Sequence, residues 1–198
     1  MQAVIILDHP YDFSASHNQV HRRAYSAALA QRAYDDLTDA GYDVDLIDLE
    51  KDHFDPVMHE KDLVRWRSQA FVDQQSHDYF QRLQRADEIV FIFPIWWEMM
   101  PALTKGFFDK VFAKGEVKVV NGQRQLFQKK TKIRVLTAIG TPNLIYKWHY
   151  GNPIGKMLQR GVFAKIGLKD FKIKNFNAED EKEKKRLSDL NKVKKVLL

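Results

Sequence analysis

Apolar residues fall in short runs separated by stretches with helical spacing along the 198-residue chain. Residues 3–7, Ala-Val-Ile-Ile-Leu, read as a first strand. Val20, Ala24, Ala27, Ala30, Tyr34 and Leu37 then recur at three- and four-residue intervals, the mark of an amphipathic helix, which Gly41 closes. Val44, Leu46 and Ile47 begin a second strand. A polar connection through Asp55-Pro56 leads to a helical stretch over 60–85. Residues 89–93, Ile-Val-Phe-Ile-Phe, predict a third, buried strand, and Pro94 and Pro101 exclude a regular helix or central strand between them. Pro101 opens a helix carrying Leu103, Phe107 and Val111 on one side. Asn121-Gly122 signals a hairpin within 117–125. A fourth strand is expected over 133–138, a helix over 153–166, a fifth strand over 171–176, and an amphipathic closing helix carrying Leu187, Leu190, Val193 and Leu197.

Continuous apolar strands alternating with helices imply a single α/β domain over 1–198, a doubly wound parallel sheet with helices on both faces. Ligands of such sheets sit beyond the carboxyl ends of the strands. The loops after the first, third and fourth strands, 8–17, 94–100 and 139–151, should therefore share one site. There is no internal repeat or low-complexity tract.

Composition narrows the chemistry. There is no cysteine, which excludes disulfides, thiolate metal sites and cysteine nucleophiles and fits a cytoplasmic home; no metal site is expected. No apolar run is long enough to span a membrane, and no signal peptide is predicted. The net charge of +6 would suit an anionic partner or a phosphorylated cofactor. The excess lies around Lys129–Arg134 and in the last helix, which is acidic at its start and basic at its end as the helix dipole favours. No nucleic-acid motif accompanies it, so a solvated helix face is the reading taken.

The three loops carry candidate chemistry. The first holds His9, Ser14, Ser16, His17 and Asn18 between a strand and a helix, where free N–H groups favour an anion. The same groups also serve as helix caps. It is neither a glycine-rich loop ending in lysine nor GxGxxG, so a passively held phosphate suits it better than a transferred one. The second reads Phe93-Pro94-Ile95-Trp96-Trp97-Glu98-Met99-Met100-Pro101. Its paired indoles suit the face of a flat heterocycle, or a core or subunit interface. The third contains Gly140, Thr141, Asn143, Tyr146 and His149. Glycine allows close backbone approach, and tyrosine and histidine could hydrogen-bond a carbonyl or donate a proton.

The phrase FPIWWEMMPALTKGFFDKVF, residues 93–112, resembles the signature of the flavodoxin-like NAD(P)H:quinone oxidoreductases, the DT-diaphorase group and its smaller bacterial relatives. The first loop is similar to that family's flavin phosphate loop. The resemblance implies a flavodoxin-like sheet of order 2-1-3-4-5. It implies phosphate contacts from Ser16, His17 and Asn18, a ring framed by Pro94, Ile95, Trp96 and Trp97, and Gly140 and its neighbours at the ring's pyrimidine end. It implies Tyr146 near the substrate, and a homodimer. Tyr146 and His149 are, by residue type, the candidates for polarising or protonating an acceptor oxygen. The sequence departs from the family in the third loop, Ala138-Ile139-Gly140-Thr141-Pro142, at Lys114-Gly115-Glu116-Val117, and in placing Asp8 and Asp12 near the expected phosphate.

The implied activity is flavin-dependent hydride transfer from NAD(P)H to a quinone-like acceptor in two alternating steps. FMN is the expected cofactor and FAD the alternative; the flavin carries the redox chemistry. Two further readings are a flavodoxin-type electron carrier, which the basic charge disfavours, and a regulatory subunit of a membrane transporter.

Overall fold

Side chains on a strand alternate between faces, and here both faces are apolar. Val4 and Ile6 of β1 (Gln2–Leu7) and Ile89, Phe91 and Phe93 of β3 (Glu88–Ile95) point into one core cluster. Ala3, Ile5 and Leu7, with Val90 and Ile92, point into a second on the opposite face. Such strands need cover on both sides, and they receive it in a computed structural model describing residues 1–17, 19–68, 71–113, 116–120, 122–127, 130–178 and 182–198. With β2 (Asp43–Asp48), β6 (Lys132–Ile139) and β7 (Phe171–Asn177), they form one parallel sheet of order β2-β1-β3-β6-β7. Counting only these strands, this is the expected order 2-1-3-4-5. A hairpin of β4 (Lys118–Val120) and β5 (Gln123–Gln125) stands apart from it. Of its expected Asn121-Gly122 turn, Asn121 lies outside the described residues, as does Lys114-Gly115.

The first face is covered by α3 (Gln74–Arg85), α4 (Ala102–Val111) and the helical run 153–166, which opens with α6 (Pro153–Lys156); they contribute Phe80, Phe107 and Phe163. The second is covered by α1 (Tyr25–Asp39) and the C-terminal segment, through Ala27, Ala30, Ala33, Leu37, Val193 and Leu197. A stripe of alanines brings α1 close to the sheet. At its end Gly41 takes φ +82°. There Tyr42 N–H donates to Leu37 O at 3.0 Å and Gly41 N–H to Thr38 O at 2.9 Å, satisfying the last carbonyls.

Several boundaries differ from expectation, each for a local reason. The first helix starts at Tyr25, not near Val20. Residues 19–22 form a tight turn in which His21 sits at φ +61°, outside helical space. The stretch 60–85 is two helices, α2 (Glu60–Arg67) and α3, because Asp73 accepts from Ser76 N–H at 2.7 Å and caps a new start. Pro94 does lie inside β3, paired with Ala138, contrary to the exclusion drawn from sequence. The pairing with β1 ends at Leu7↔Ile92, and Ile92 O faces Asp8 N–H. By alternation the missing N–H of Pro94 faces the side that β1 has already vacated, where it costs no ladder bond. The run 153–166 is helical as expected, but widens into a π-helix over Met157–Phe163. The closing helix is broken into α7 (Glu183–Leu190) and α8 (Lys194–Leu197), and Leu187 is exposed. Residues 143–148, expected as loop, form α5 (Asn143–Trp148).

Two packing details carry expected outcomes. A Cβ on Gly106 of α4 would lie 2.4 Å from the Cα, Cβ and O of Pro56. Gly106→Ala must therefore push the 55–57 connection off α4, and a loss of about 1–3 kcal/mol is expected in urea denaturation; an unchanged midpoint would contradict this contact. At the amino ends of the strands, Glu88 is fully buried and neither carboxylate oxygen has a hydrogen-bond partner among the described residues. Arg134 Nε is 3.9 Å away. Burial pushes the Glu88 carboxyl above its ordinary 4.5, with Arg134 and Lys132 pulling it back only in part. The folded state then binds more protons than the unfolded one, so stability falls as pH rises from 4.5 through the raised folded value. Glu88→Gln should flatten that decline in urea midpoints measured from pH 4 to 8; parallel profiles would contradict it.

Candidate functional site

The register places three loops at one edge. β3 and β6 stay paired to Ile95↔Ile139, so the loops after them leave the sheet at the same level. β1 ends earlier, and His9, two residues past its end, reaches sideways: its ring lies 6.5 Å from that of Trp96 and 5.5 Å from that of Tyr11. Thr141 Oγ1, just past β6, donates to Glu98 Oε1 at 2.7 Å. The first loop thus meets the second through His9, and the second meets the third through Glu98.

The second loop is a two-residue turn. Trp96 N–H donates to Met99 O at 3.0 Å and Met99 N–H to Trp96 O at 2.9 Å. Its central residues, Trp97 and Glu98, take φ +51° and +59°. This left-handed geometry ordinarily selects asparagine and glycine, and each bulkier residue held there costs on the order of 1 kcal/mol. The result is an indole presented to solvent: Trp97 is 96% exposed and Trp96 46%. Pro94 and Ile95 are buried in β3, so their side chains present no surface to a ligand. Glu98 Oε2 is shielded from solvent and has no hydrogen-bond partner among the described residues. Leaving a carboxylate oxygen in that state costs about 1–3 kcal/mol.

In the first loop the acidic residues turn out to be engaged by protein donors. Asp8 is buried and accepts from Thr104 N–H at 2.7 Å and from the Thr104 hydroxyl. It thereby caps the start of α4, where Pro101 at the cap position has no side chain to do so. Burial pushes the Asp8 carboxyl up and the Thr104 donors pull it down in part. Asp12 accepts from Ser14 N–H at 2.9 Å and from the Ser14 hydroxyl, and pairs with Arg22 at 2.8 Å. The Ser14 hydroxyl is therefore committed to Asp12. Ser16 lies on the 3-10 turn Phe13–His17, where among the described residues its hydroxyl makes a 3.4 Å bond to Gln31, and His17 is exposed. Asn18 lies outside the described residues. The sequence left Ser16 open as a cap for the first helix, but α1 begins after Ala24 without a side-chain cap. His9 Nδ1 accepts from Tyr11 N–H at 3.0 Å, and burial holds the imidazole below its ordinary pKa. The neutral ring then carries its proton on Nε2, a donor.

The third loop is tied down as well. Asn143 Nδ2 donates to Asn177 Oδ1 at 2.7 Å and to Asn175 O at 3.3 Å, fixing α5 to β7. Gly140 is half-buried between β6 and α5. Tyr146 requires a correction. It is fully buried in the core, its hydroxyl accepts Ile154 N–H at 3.2 Å, and burial pushes its pKa up to about 12. In this arrangement it faces no open site and offers no accessible proton. His149 is exposed at the end of α5, its ring against Tyr150. The helix also exposes Leu144, Ile145 and Trp148.

Sequence reasoning missed Glu98, Thr104 and Arg22 as organisers of this edge. For Glu98 a signal existed: one acidic residue within an otherwise apolar stretch bounded by prolines. A groove of about 390 Å³ runs on from Ala15 and Ser16 between α1 and α7, lined by Gln31, Arg32, Glu183 and Arg186. Among the described residues there is no cluster of His, Asp and Glu that could hold a metal, and no helix is long and apolar enough to cross a membrane.

Sheet order, two-faced core and a site at the carboxyl ends define a doubly wound α/β protein of flavodoxin type. Residues 5–197 match the family model described as flavodoxin-like fold, and the chain belongs to that family. A Haemophilus influenzae protein named as an uncharacterized NAD(P)H oxidoreductase is 26% identical over 197 residues, covering 96% of this chain and 92% of its own. The structure of an NAD(P)H:quinone oxidoreductase from Methanothermobacter marburgensis superimposes with a TM-score of 0.79 at 20% identity, covering 98% of this chain and 93% of that one. An FMN-dependent NADH-azoreductase from Bacillus anthracis, in complex with FMN, does so at 0.74 and 15% identity, covering 98% and 97%.

Proposed function

We propose that this protein is an NAD(P)H oxidoreductase that binds FMN at the three-loop edge and reduces quinone-like acceptors. The observation carrying the reading is Trp97, an almost wholly exposed indole held on a strained turn that meets both the first and the third loop. A large apolar ring is held in water at a backbone cost where it can cover something flat. The relatives' names, NAD(P)H oxidoreductase and NAD(P)H:quinone oxidoreductase, and the FMN of the Bacillus structure support the same assignment.

The residues fit such a group. Ser16, His17 and the Nε2–H of His9 supply donors for a phosphate tail, and the engagement of Asp8 by Thr104 and of Asp12 by Ser14 and the Arg22 cation lessens the charge conflict seen in the sequence. Backbone from Pro94 to Trp96 and around Gly140 can meet the ring's edge, and the two indoles its face. The flavin, when bound, supplies the ring that accepts and returns hydride. The chain binds and orients it, shields one side, and leaves a place that nicotinamide and acceptor occupy in turn. With Tyr146 buried, His149 is the remaining candidate for protonating the acceptor oxygen. The groove along α1 and α7 leaves room for an adenylate extension, so the mass of the bound chromophore decides between FMN and FAD. The apolar exposure of α5 suits a homodimer interface near the site, testable by light scattering.

Steady-state kinetics of the flavin-loaded protein with NAD(P)H and a soluble quinone should give parallel double-reciprocal lines. Negligible NAD(P)H oxidation, with bound flavin reduced readily by a separate reductase, would instead favour the electron-carrier reading.

A further inference from the structure

The family resemblance assigns Glu98 no role, yet the geometry gives it a specific task. We propose that Glu98 is a positioning residue: by accepting the Thr141 hydroxyl it fastens the Trp96–Met99 turn to the third loop and so holds Trp97 over the ring site. The proposal rests on the flavin reading above and adds a residue to that site.

Three observations converge. First, Trp97 and Glu98 both occupy left-handed backbone without glycine's freedom, so the turn does not hold its shape through local preference. Second, its two backbone bonds close the turn on itself but do not orient it against the sheet, and Trp97, almost wholly exposed, contributes little anchoring. The 2.7 Å bond from Thr141 crosses to the loop after β6, and that link sets the direction in which the indole points. Third, the carboxylate is turned inward: Oε2 is shielded and lacks a partner among the described residues. A surface glutamate kept for solubility would hydrate both oxygens. Here one oxygen forgoes water so that the other can reach Thr141.

The test uses Glu98→Ala and Thr141→Val, which break the latch, with Glu98→Gln and Thr141→Ser, which keep an acceptor and a hydroxyl in place. In the flavin-free protein, hydrogen exchange at the Trp96 and Met99 amides should accelerate in the first pair and be restored in the second. FMN dissociation constants should rise on the order of 10-fold in each breaking variant. The double variant should be no worse than the weaker single one, as for two ends of one interaction, with the unfolding midpoint unchanged. Wild-type exchange at both amides in Glu98→Ala and Thr141→Val would overturn the proposal. So would a midpoint that falls with affinity in all four variants, the mark of a general packing role. If wild-type protein binds no flavin, the functional reading fails by itself, and the exchange measurement still decides whether the latch exists.

Discussion

Replacing Lys110 with methionine should destabilise the protein by about 3–5 kcal/mol at neutral pH, because it leaves the buried Asp62 carboxylate, and the partly buried Asp73, without their cation. Lys110 lies on the last turn of α4 and is almost fully buried. Its ammonium sits 2.9 Å from Asp73, 3.6 Å from the equally buried Asp62 and 4.0 Å from Asp55, and donates to the backbone oxygen of Asp55 at 3.0 Å. It thereby pins the long connection between β2 and α3 onto α4, one turn beyond the Gly106–Pro56 contact. Methionine preserves the stem's volume, so the loss isolates the charge. For a chain of this size it corresponds to a fall in melting temperature on the order of 10 °C. The pH dependence follows from Asp73. Burial works against its ionisation, but Ser76 N–H and Lys110 outweigh it and hold the carboxyl below its ordinary 3.8. A depressed folded value contributes stability above 3.8 that is lost as pH falls through the folded value. The gap between wild type and variant should therefore narrow in acid. Adding Asp62→Asn should recover part of the loss, and a variant as stable as wild type at pH 7 would remove the clamp from the account.

Trp97→Ala should do the reverse: leave stability nearly untouched and weaken flavin retention by about 10- to 100-fold. An indole that is 96% exposed buries little against the protein. Its removal forfeits little apolar burial, and replacing it with glycine should even relax the left-handed backbone at φ +51°. Stacking of an aromatic side chain on a planar base is worth about 1–3 kcal/mol by alanine substitution, which sets the expected loss. Trp66→Ala on α2, away from the three loops, is the control and should leave the flavin dissociation constant unchanged. Equal effects of the two substitutions would mean that the ring does not lie against Trp97.

The sheet was legible because its strands are near-continuous apolar runs, and period-two burial on both faces leaves no other arrangement for residues 89–93 or 133–138. The loops that form the site followed from that topology. What the sequence hid were features set by tertiary partners. Pro94 reads as a strand breaker until the early end of β1 is known. α5 exposes Leu144, Ile145 and Trp148 while burying Tyr146, the inverse of the stripe that marks an amphipathic helix. Residue type and family resemblance both point to Tyr146, and burial in the core, with its hydroxyl accepting from Ile154 N–H, is what removes it from solvent. Asp8 and Asp12 looked repulsive to a phosphate because their donors, Thr104 and Arg22, lie on other segments. Glu98 reads as an ordinary surface charge until Thr141 is placed beside it.

The most direct measurement is the visible absorption of the purified protein before and after incubation with FMN or FAD, with mass analysis of the chromophore released on denaturation. One flavin per chain is expected, with quenching of tryptophan emission that is reduced in Trp97→Ala. A colourless protein that neither flavin can load would contradict the assignment of this edge.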